Sequence, residues 1–270
     1  MFDFLNHTFM IYALILGLSL GIGASLLSPF LVLNHQAMIA DGLSHVAFSG
    51  IIFGLLLSHQ PIYFAIPFTI VASLAITYLG QIKMIEHDSA IGVVSAFALA
   101  IGIITINLAD GFNRSIESLL VGTILTVTFE EVVISVVFLL ILLLFILLLY
   151  RPLLSMTYDT NYAIFSDVKH NLLKYALSAI TAVFIVLGIR TAGMLLISAY
   201  IIFPSLIASQ ISRGFRQTLW IGTIIALIII FIGFTVSYHF DIPTGSTIVV
   251  IYTVLLILSI FYRRILRRAF

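Results

Sequence analysis

Apolar runs of about twenty residues follow one another along the whole chain, separated by short polar turns, and this pattern governs what it can fold into. Nine segments stand out, at 9–33, 37–57, 61–80, 90–108, 129–150, 173–189, 191–208, 218–238 and 246–262. A helix of about 20 residues crosses a hydrocarbon layer roughly 30 Å thick. Only 9% of the 270 residues are charged and 62% are hydrophobic, whereas soluble domains carry roughly 25% charged residues. Such a chain cannot present a water-compatible surface, so membrane lipid must solvate it. In lipid every backbone N–H and C=O needs a partner within the protein, which leaves helices or closed barrels. The length of the runs selects helices. The expected fold is all-α, a polytopic transmembrane helical bundle of about nine spans forming one domain over 1–270. The piece at 119–127 is apolar but too short to cross, and reads as a re-entrant or half helix packed inside the protein.

Charge placement sets the orientation. With the N-terminus outside, the inside loops hold Lys83, Arg151, Lys169, Lys174, Arg213, Arg216, Arg263, Arg264, Arg267 and Arg268, and only Arg114 and Arg190 fall outside. Basic residues gather on the cytoplasmic side of membrane proteins, so the expectation is N-terminus out and C-terminus in. A rival reading merges 173–208 into one element, giving eight spans, and strands Lys83, Arg151, Lys169 and Lys174 outside. The nine-span reading has one demanding point: the chain must reverse within Gly188-Ile-Arg190-Thr-Ala-Gly193.

Several function classes fall away. A net charge of +1 implies no attraction to nucleic acid. The absence of cysteine removes disulfides, iron–sulfur clusters and thiolate metal sites. The start, Met1-Phe-Asp-Phe-Leu-Asn-His7, lacks a basic region and a small-residue cleavage site, so no cleaved signal is expected. No phosphate-binding Gly-x-x-x-x-Gly-Lys-Ser/Thr loop and no hydrolase motif occurs. The chain is therefore not expected to be an enzyme. If it pumps, another chain or an ion gradient supplies the energy.

One polar pair sits inside an apolar run, in Asp41-Gly-Leu-Ser44-His45-Val-Ala-Phe-Ser49. Ionisable groups in hydrocarbon cost roughly 2.5–3.5 kcal/mol each on insertion scales and are functional by default. Positions i and i+4 share a helix face, and a carboxylate with an imidazole suits a divalent cation. Ser44 and Ser49 would extend the polar stripe. A proton relay uses the same residue types, and a packing hydrogen bond is the bland alternative. Three further groups are candidates. His239 and Asp241, in Tyr238-His239-Phe-Asp241-Ile-Pro243, would meet a cation at the outer mouth. Pro204, Ser205, Ala208, Arg213 and Arg216 form a proline-interrupted, basic inner end suited to docking a soluble partner. Asp88 reads as a helix N-cap, and Glu130 and Glu131 as first-turn acids favoured by the helix dipole. His7, His35, His59, His87 and His170 are scattered and form no ligand spacing.

The run from Leu31 through Asp41, Ser44 and His45 to Gly50 resembles a signature of the ABC-3 family of bacterial zinc and manganese permeases. Four more matches follow in order: Asp88-Ser-Ala-Ile-Gly92, Leu119-Leu-Val-Gly122-Thr-Ile-Leu125, the stretch from Gly193 through Pro204 to Ala208, and Asp241-Ile-Pro243-Thr-Gly245. Asn34 and His35 stand where the family usually has paired arginines, and Val121 replaces its usual Phe. The stretch Arg151-Pro152 to Asp159 is most similar to zinc permeases of Gram-positive bacteria. The resemblance implies a cell-membrane permease of an ATP-driven importer. Its cargo would be Zn2+, with Mn2+ or iron as the alternatives, and no permanently bound cofactor. It would work with a cytoplasmic ATP-binding subunit, an extracellular metal-binding lipoprotein and a second permease copy. Asp41 and His45 would form the transit site, and the segment 204–216 would dock the ATPase. A proton-coupled secondary metal carrier is the other function class.

Overall fold

A computed structural model describes residues 8–57, 61–82, 85–108, 127–166 and 168–269. Nine long helices and two short ones account for nearly all of them. The long helices are α1 (Thr8–Leu33), α2 (Ile39–Leu57), α3 (Ile62–Gln81), α4 (His87–Leu108) and α5 (Phe129–Leu148), then α8 (His170–Ala192), α9 (Met194–Ile211), α10 (Phe215–Phe240) and α11 (Thr244–Ala269). The short ones are α6 (Tyr150–Tyr158) and α7 (Thr160–Phe165). Among the described residues, all nine long helices are apolar enough to cross a membrane. The re-entrant piece expected at 119–127 lies outside the described residues except for Val127, which is buried. Lys83 and Arg114 also lie outside them.

The demanding turn is met by a single glycine. Gly193 adopts φ 82° and ψ 162°, a region open essentially to glycine alone. It separates α8 from α9, and a side chain added at Gly188 would collide with Ile197. The two arms therefore fold back onto each other, as the nine-span reading requires. The α1–α2 turn is closed differently. The Gln36 N–H donates to the Leu31 carbonyl at 2.9 Å and the His35 N–H to that of Val32 at 3.2 Å. This is a Schellman cap with His35, at φ 56°, where glycine usually stands. A left-handed non-glycine residue costs about 1–2 kcal/mol. Helix α5 carries Glu130 and Glu131 in its first turn, as expected, and Glu131 also closes a capping box that the sequence reading did not name. Thr128 Oγ1 accepts from the Glu131 N–H at 3.4 Å, and a Glu131 carboxylate oxygen accepts from the Thr128 N–H at 3.0 Å. Asp88 is not the N-cap of α4, because the helix begins one residue earlier and places it in the first turn.

Helices α1 and α2 form the interior. Helix α1 packs on α5, α9 and α10, whereas α2 packs on α3, α4, α8 and α9. With no water to drive helices together, small residues and hydroxyls make the contacts. Ser19 pairs with Ser135 at 2.9 Å, joining α1 to α5. Ser25 pairs with Thr223 at 2.9 Å, joining α1 to α10. Ser73, Thr77 and Ser178 share a buried hydroxyl cluster that joins α3 to α8. Helices α5 and α11 keep leucine, isoleucine and valine side chains exposed along most of one side, as lipid-facing surfaces do.

The ends of α1, α3, α5 and α9 and the starts of α2, α4, α8 and α10 gather at one end of the bundle, with α6 and α7. Contacts between Asn34 and Thr157 at 3.3 Å, Tyr175 and Gln81 at 3.1 Å, and Arg263 and Gln210 at 2.9 Å tie this end together. It also carries Arg151, Lys169, Lys174, Arg213, Arg216, Arg263 and Arg264, and is called the basic end below.

Candidate functional site

Asp41 and His45 lie in the first two turns of α2, at the basic end. Most of this helix is enclosed, yet Asp41 is exposed and His45 only half-buried. The ring Nδ1 of His45 is buried with no hydrogen-bond partner. Asp41 and part of the His45 ring thus lie on a strip of α2 that the described residues leave uncovered. Asp41 offers a carboxylate and His45 an imidazole, a donor set suited to divalent cations of the first transition row. Among the described residues, no three His, Asp or Glu side chains converge on a point that a metal ion could occupy. The described residues therefore bring two candidate donors together, and a complete metal site would need a third or fourth.

The expected serine extension of this stripe does not exist. Ser44 and Ser49 are fully buried, and both spend their hydroxyls on carbonyl oxygens. Ser44 donates to Asp41 O at 2.6 Å, and Ser49 to Ala98 O of α4 at 2.7 Å. Ser49 sits against Gly102, where an added Cβ would lie 3.1 Å from the Ser49 Cβ. A side chain at Gly42 would likewise overlap Ile91. The face holding Ser49 is a helix-packing seam, and Asp41 and His45 lie beside it.

His239 and Asp241 are at the opposite end of the bundle, in the α10–α11 turn, and both are exposed. Asp241 adopts a left-handed conformation at φ 52° as the C-cap of α10, and His239 sits in that helix's last turn. Ser237 stiffens the turn by donating to Ile242 O at 2.6 Å. Both positions have sufficient capping or dipole roles, and the length of the bundle separates them from Asp41.

In the proposed docking segment Pro204, Ser205 and Ala208 are buried, while Arg213 and Arg216 are exposed. Pro204 lies inside α9, and its carbonyl meets Gly222 of α10 at the distance of close helix packing. The accessible part is the α9–α10 turn. Sequence reading missed its neighbours. Helices α6 and α7 expose Tyr158, Tyr162, Ile164 and Phe165, the last 89% accessible. Phe215 joins the two regions, with its ring 4.9 Å from Phe30, 6.3 Å from Tyr150 and 5.9 Å from Tyr158. The signal was available in the stretch Tyr158-Asp-Thr-Asn-Tyr162-Ala-Ile164-Phe165, whose aromatics sit in an otherwise polar loop. A cavity of about 420 Å³ at the same end is lined by His35, Gly80, Ile85, Glu86, His87 and Asp88.

Comparison with known proteins agrees with this architecture. The chain is 27% identical over 255 residues to the manganese transport system membrane protein MntB of Synechocystis, covering 94% of this chain and 83% of that one. It is 26% identical over 259 residues to the chelated iron transport system membrane protein YfeD of Yersinia pestis, covering 96% and 87%. Among solved structures, PsaBC from Streptococcus pneumoniae in complex with Fab superposes with a TM-score of 0.83 at 26% identity, covering 95% of this chain and 94% of that one. The model of the ABC 3 transport family matches residues 6–263. With nine membrane-length helices and this match across nearly its whole length, the chain belongs to the ABC 3 transport family, the membrane-spanning permeases of ABC transporters.

Proposed function

We propose that this chain is the membrane subunit of an ATP-driven importer for a divalent metal cation, with Asp41 and His45 as the transit site. The observation that carries the reading is the exposure of Asp41, with His45 half-buried one turn on, in the otherwise enclosed 39–52 part of α2. A second copy placed across that strip would double two donors to four, as two-fold symmetry allows. Family membership favours ATP over a proton gradient as the driving force. The cargo is a first-row divalent cation. The 151–159 stretch favours zinc, and the names of the relatives set manganese and iron beside it. The ATP-binding subunit docks on the basic end, at Arg213 and Arg216 together with the exposed face of α6 and α7. An extracellular metal-binding lipoprotein delivers to the opposite end.

Asp41→Ala and His45→Ala are each expected to abolish metal-dependent growth and radiolabelled metal uptake while leaving the protein level in the membrane unchanged. Uptake near the wild-type rate in both variants would refute the transit site. Uptake of zinc, manganese and iron by the same cells, measured element by element, identifies the cargo.

A further inference from the structure

We propose that the outward face of α4 is the seam on which a second copy of this chain packs, with Gly92, Ala96 and Ala100 as the contact line and the strip holding Asp41 and His45 roofed by the partner. This deepens the metal-permease reading above and rests on it. Contacts fix where α4 lies. Gly42 of α2 meets Ile91 and Ser95 of α4, and Ser49 meets Ala98 and Gly102, so the two helices run parallel and in step. Gly50 and Gly54 of α2 instead meet Ala65 and Pro61, on the α3 side. Residues advance about 100° each around a helix, which sets Asp41 and His45 on the side of α4 that faces away from α3. The same turn carries Gly92 and Ala96 of α4 round to that side, level with the pair.

This face differs from the other outward faces of the bundle. Helix α5 turns Val137, Leu140, Leu144 and Leu147 outward, bulky side chains that lipid solvates well. Helix α4 exposes Gly92, Ala96 and Ala100 at every fourth position, and a Cβ added at Gly92 would meet nothing within 4 Å. Small residues at this spacing let two membrane helices approach closely. Val93 and Phe97 are exposed beside the row and flank the contact.

A row of small residues does not by itself name its occupant, but Asp41 and His45 do. Ionisable groups in a span face protein or a water-filled cavity rather than lipid. The described residues leave Asp41 exposed and His45 half-buried, with the His45 Nδ1 unpartnered. They also bring only two candidate donors together, where a metal site needs a third or fourth. A second copy meets both demands. Packed about a two-fold axis along the membrane normal, it sets its own Gly92 row against this one, and its own Asp41 and His45 across a polar cleft from these. Symmetry alone supplies the matching row and the matching donors.

The test uses the absence of native cysteine. Single-cysteine variants of the complete transporter, with two differently tagged copies of this chain co-expressed, are oxidised in isolated membranes. A disulfide forms only where Cα atoms come within about 7 Å. Ala96→Cys is expected to give a covalent dimer carrying both tags, and Val137→Cys on α5 none. The Ala96→Leu, Ala100→Leu variant stays apolar and helix-forming but overfills the seam. It is expected to reach the membrane at the wild-type level, to lose cross-linking through an added Gly92→Cys, and to take up metal at least about tenfold more slowly. No Ala96→Cys dimer, or an equal yield from Val137→Cys, overturns the seam, as does unchanged cross-linking and uptake in the leucine variant. Should the leucine variant be lost from the membrane, the two cysteine variants still decide. Cross-linking needs no metal, so a dimer at Ala96→Cys alongside normal uptake in Asp41→Ala and His45→Ala would sink the transit site and leave the seam standing.

Discussion

Asp41 and Ser49 stand eight positions apart on α2 and meet different surroundings. Asp41 is left uncovered, whereas the hydroxyl of Ser49 is buried and donates to the Ala98 carbonyl. Interhelical hydrogen bonds of this kind are worth about 0.6 kcal/mol in membranes. Ser49→Ala is therefore expected to keep metal uptake near wild type, with only a small fall in the melting temperature of the detergent-solubilised protein. Gly102→Val places two methyl groups against the Ser49 backbone, and overpacking costs about 1–3 kcal/mol. A clear drop in melting temperature is expected, with uptake falling alongside it. Loss of uptake in Ser49→Ala at full stability would return the serine to the transit path. At this scale the sequence made Asp41 and His45 legible because an ionisable group inside an apolar run is costly wherever it points. It could not show which hydroxyls belong with them, since a serine 3.6-fold periodicity is the same for a pore and a packing seam.

At the scale of elements, the basic end offers a partner two different surfaces. The α9–α10 turn presents Arg213 and Arg216, and α6 with α7 presents Tyr158, Tyr162, Ile164 and Phe165. Burying a phenylalanine side chain contributes about 1.5–3 kcal/mol, whereas charges at an interface rim act mainly on association rate. Phe165→Ser is expected to weaken co-purification of the ATP-binding subunit about tenfold or more. The Arg213→Glu, Arg216→Glu variant is expected to give a smaller, salt-dependent loss. Full complex formation by Phe165→Ser would move the dock away from α7. The helices themselves were readable from length and hydropathy. Sequence reading placed the dock on 204–216 because Pro204 interrupts the apolar run, two arginines follow it and the family resemblance points there; in the structure the helix continues through Pro204 to Ile211.

For the molecule as a whole, the orientation is open to a direct measurement because the chain contains no cysteine. Any introduced thiol is unique. Phe240 is 72% exposed at the end opposite the basic one, and Arg264 is exposed near the end of α11. Phe240→Cys is expected to react with a membrane-impermeant maleimide on intact cells, and Arg264→Cys only after permeabilisation. The reverse labelling would invert the orientation and place the proposed dock outside, where no ATP-binding subunit could reach it.

The run lengths, the scarcity of charge and the placement of basic residues determined a multi-pass helical membrane protein with one intramembrane acid–imidazole pair. These are local quantities, because lipid imposes the same hydrogen-bonding demand on every segment separately. The tertiary structure alone decided that Gly193 reverses the chain, that Ser49 belongs to a packing seam, and that Phe215 links the α9–α10 turn to α6. It also decided that His35 and His87, more than fifty residues apart and without any ligand spacing, line one cavity. Which side chains share a space depends on the register between helices. That register is set by small residues such as Gly42, Gly80 and Gly102, whose partners no single-segment pattern specifies.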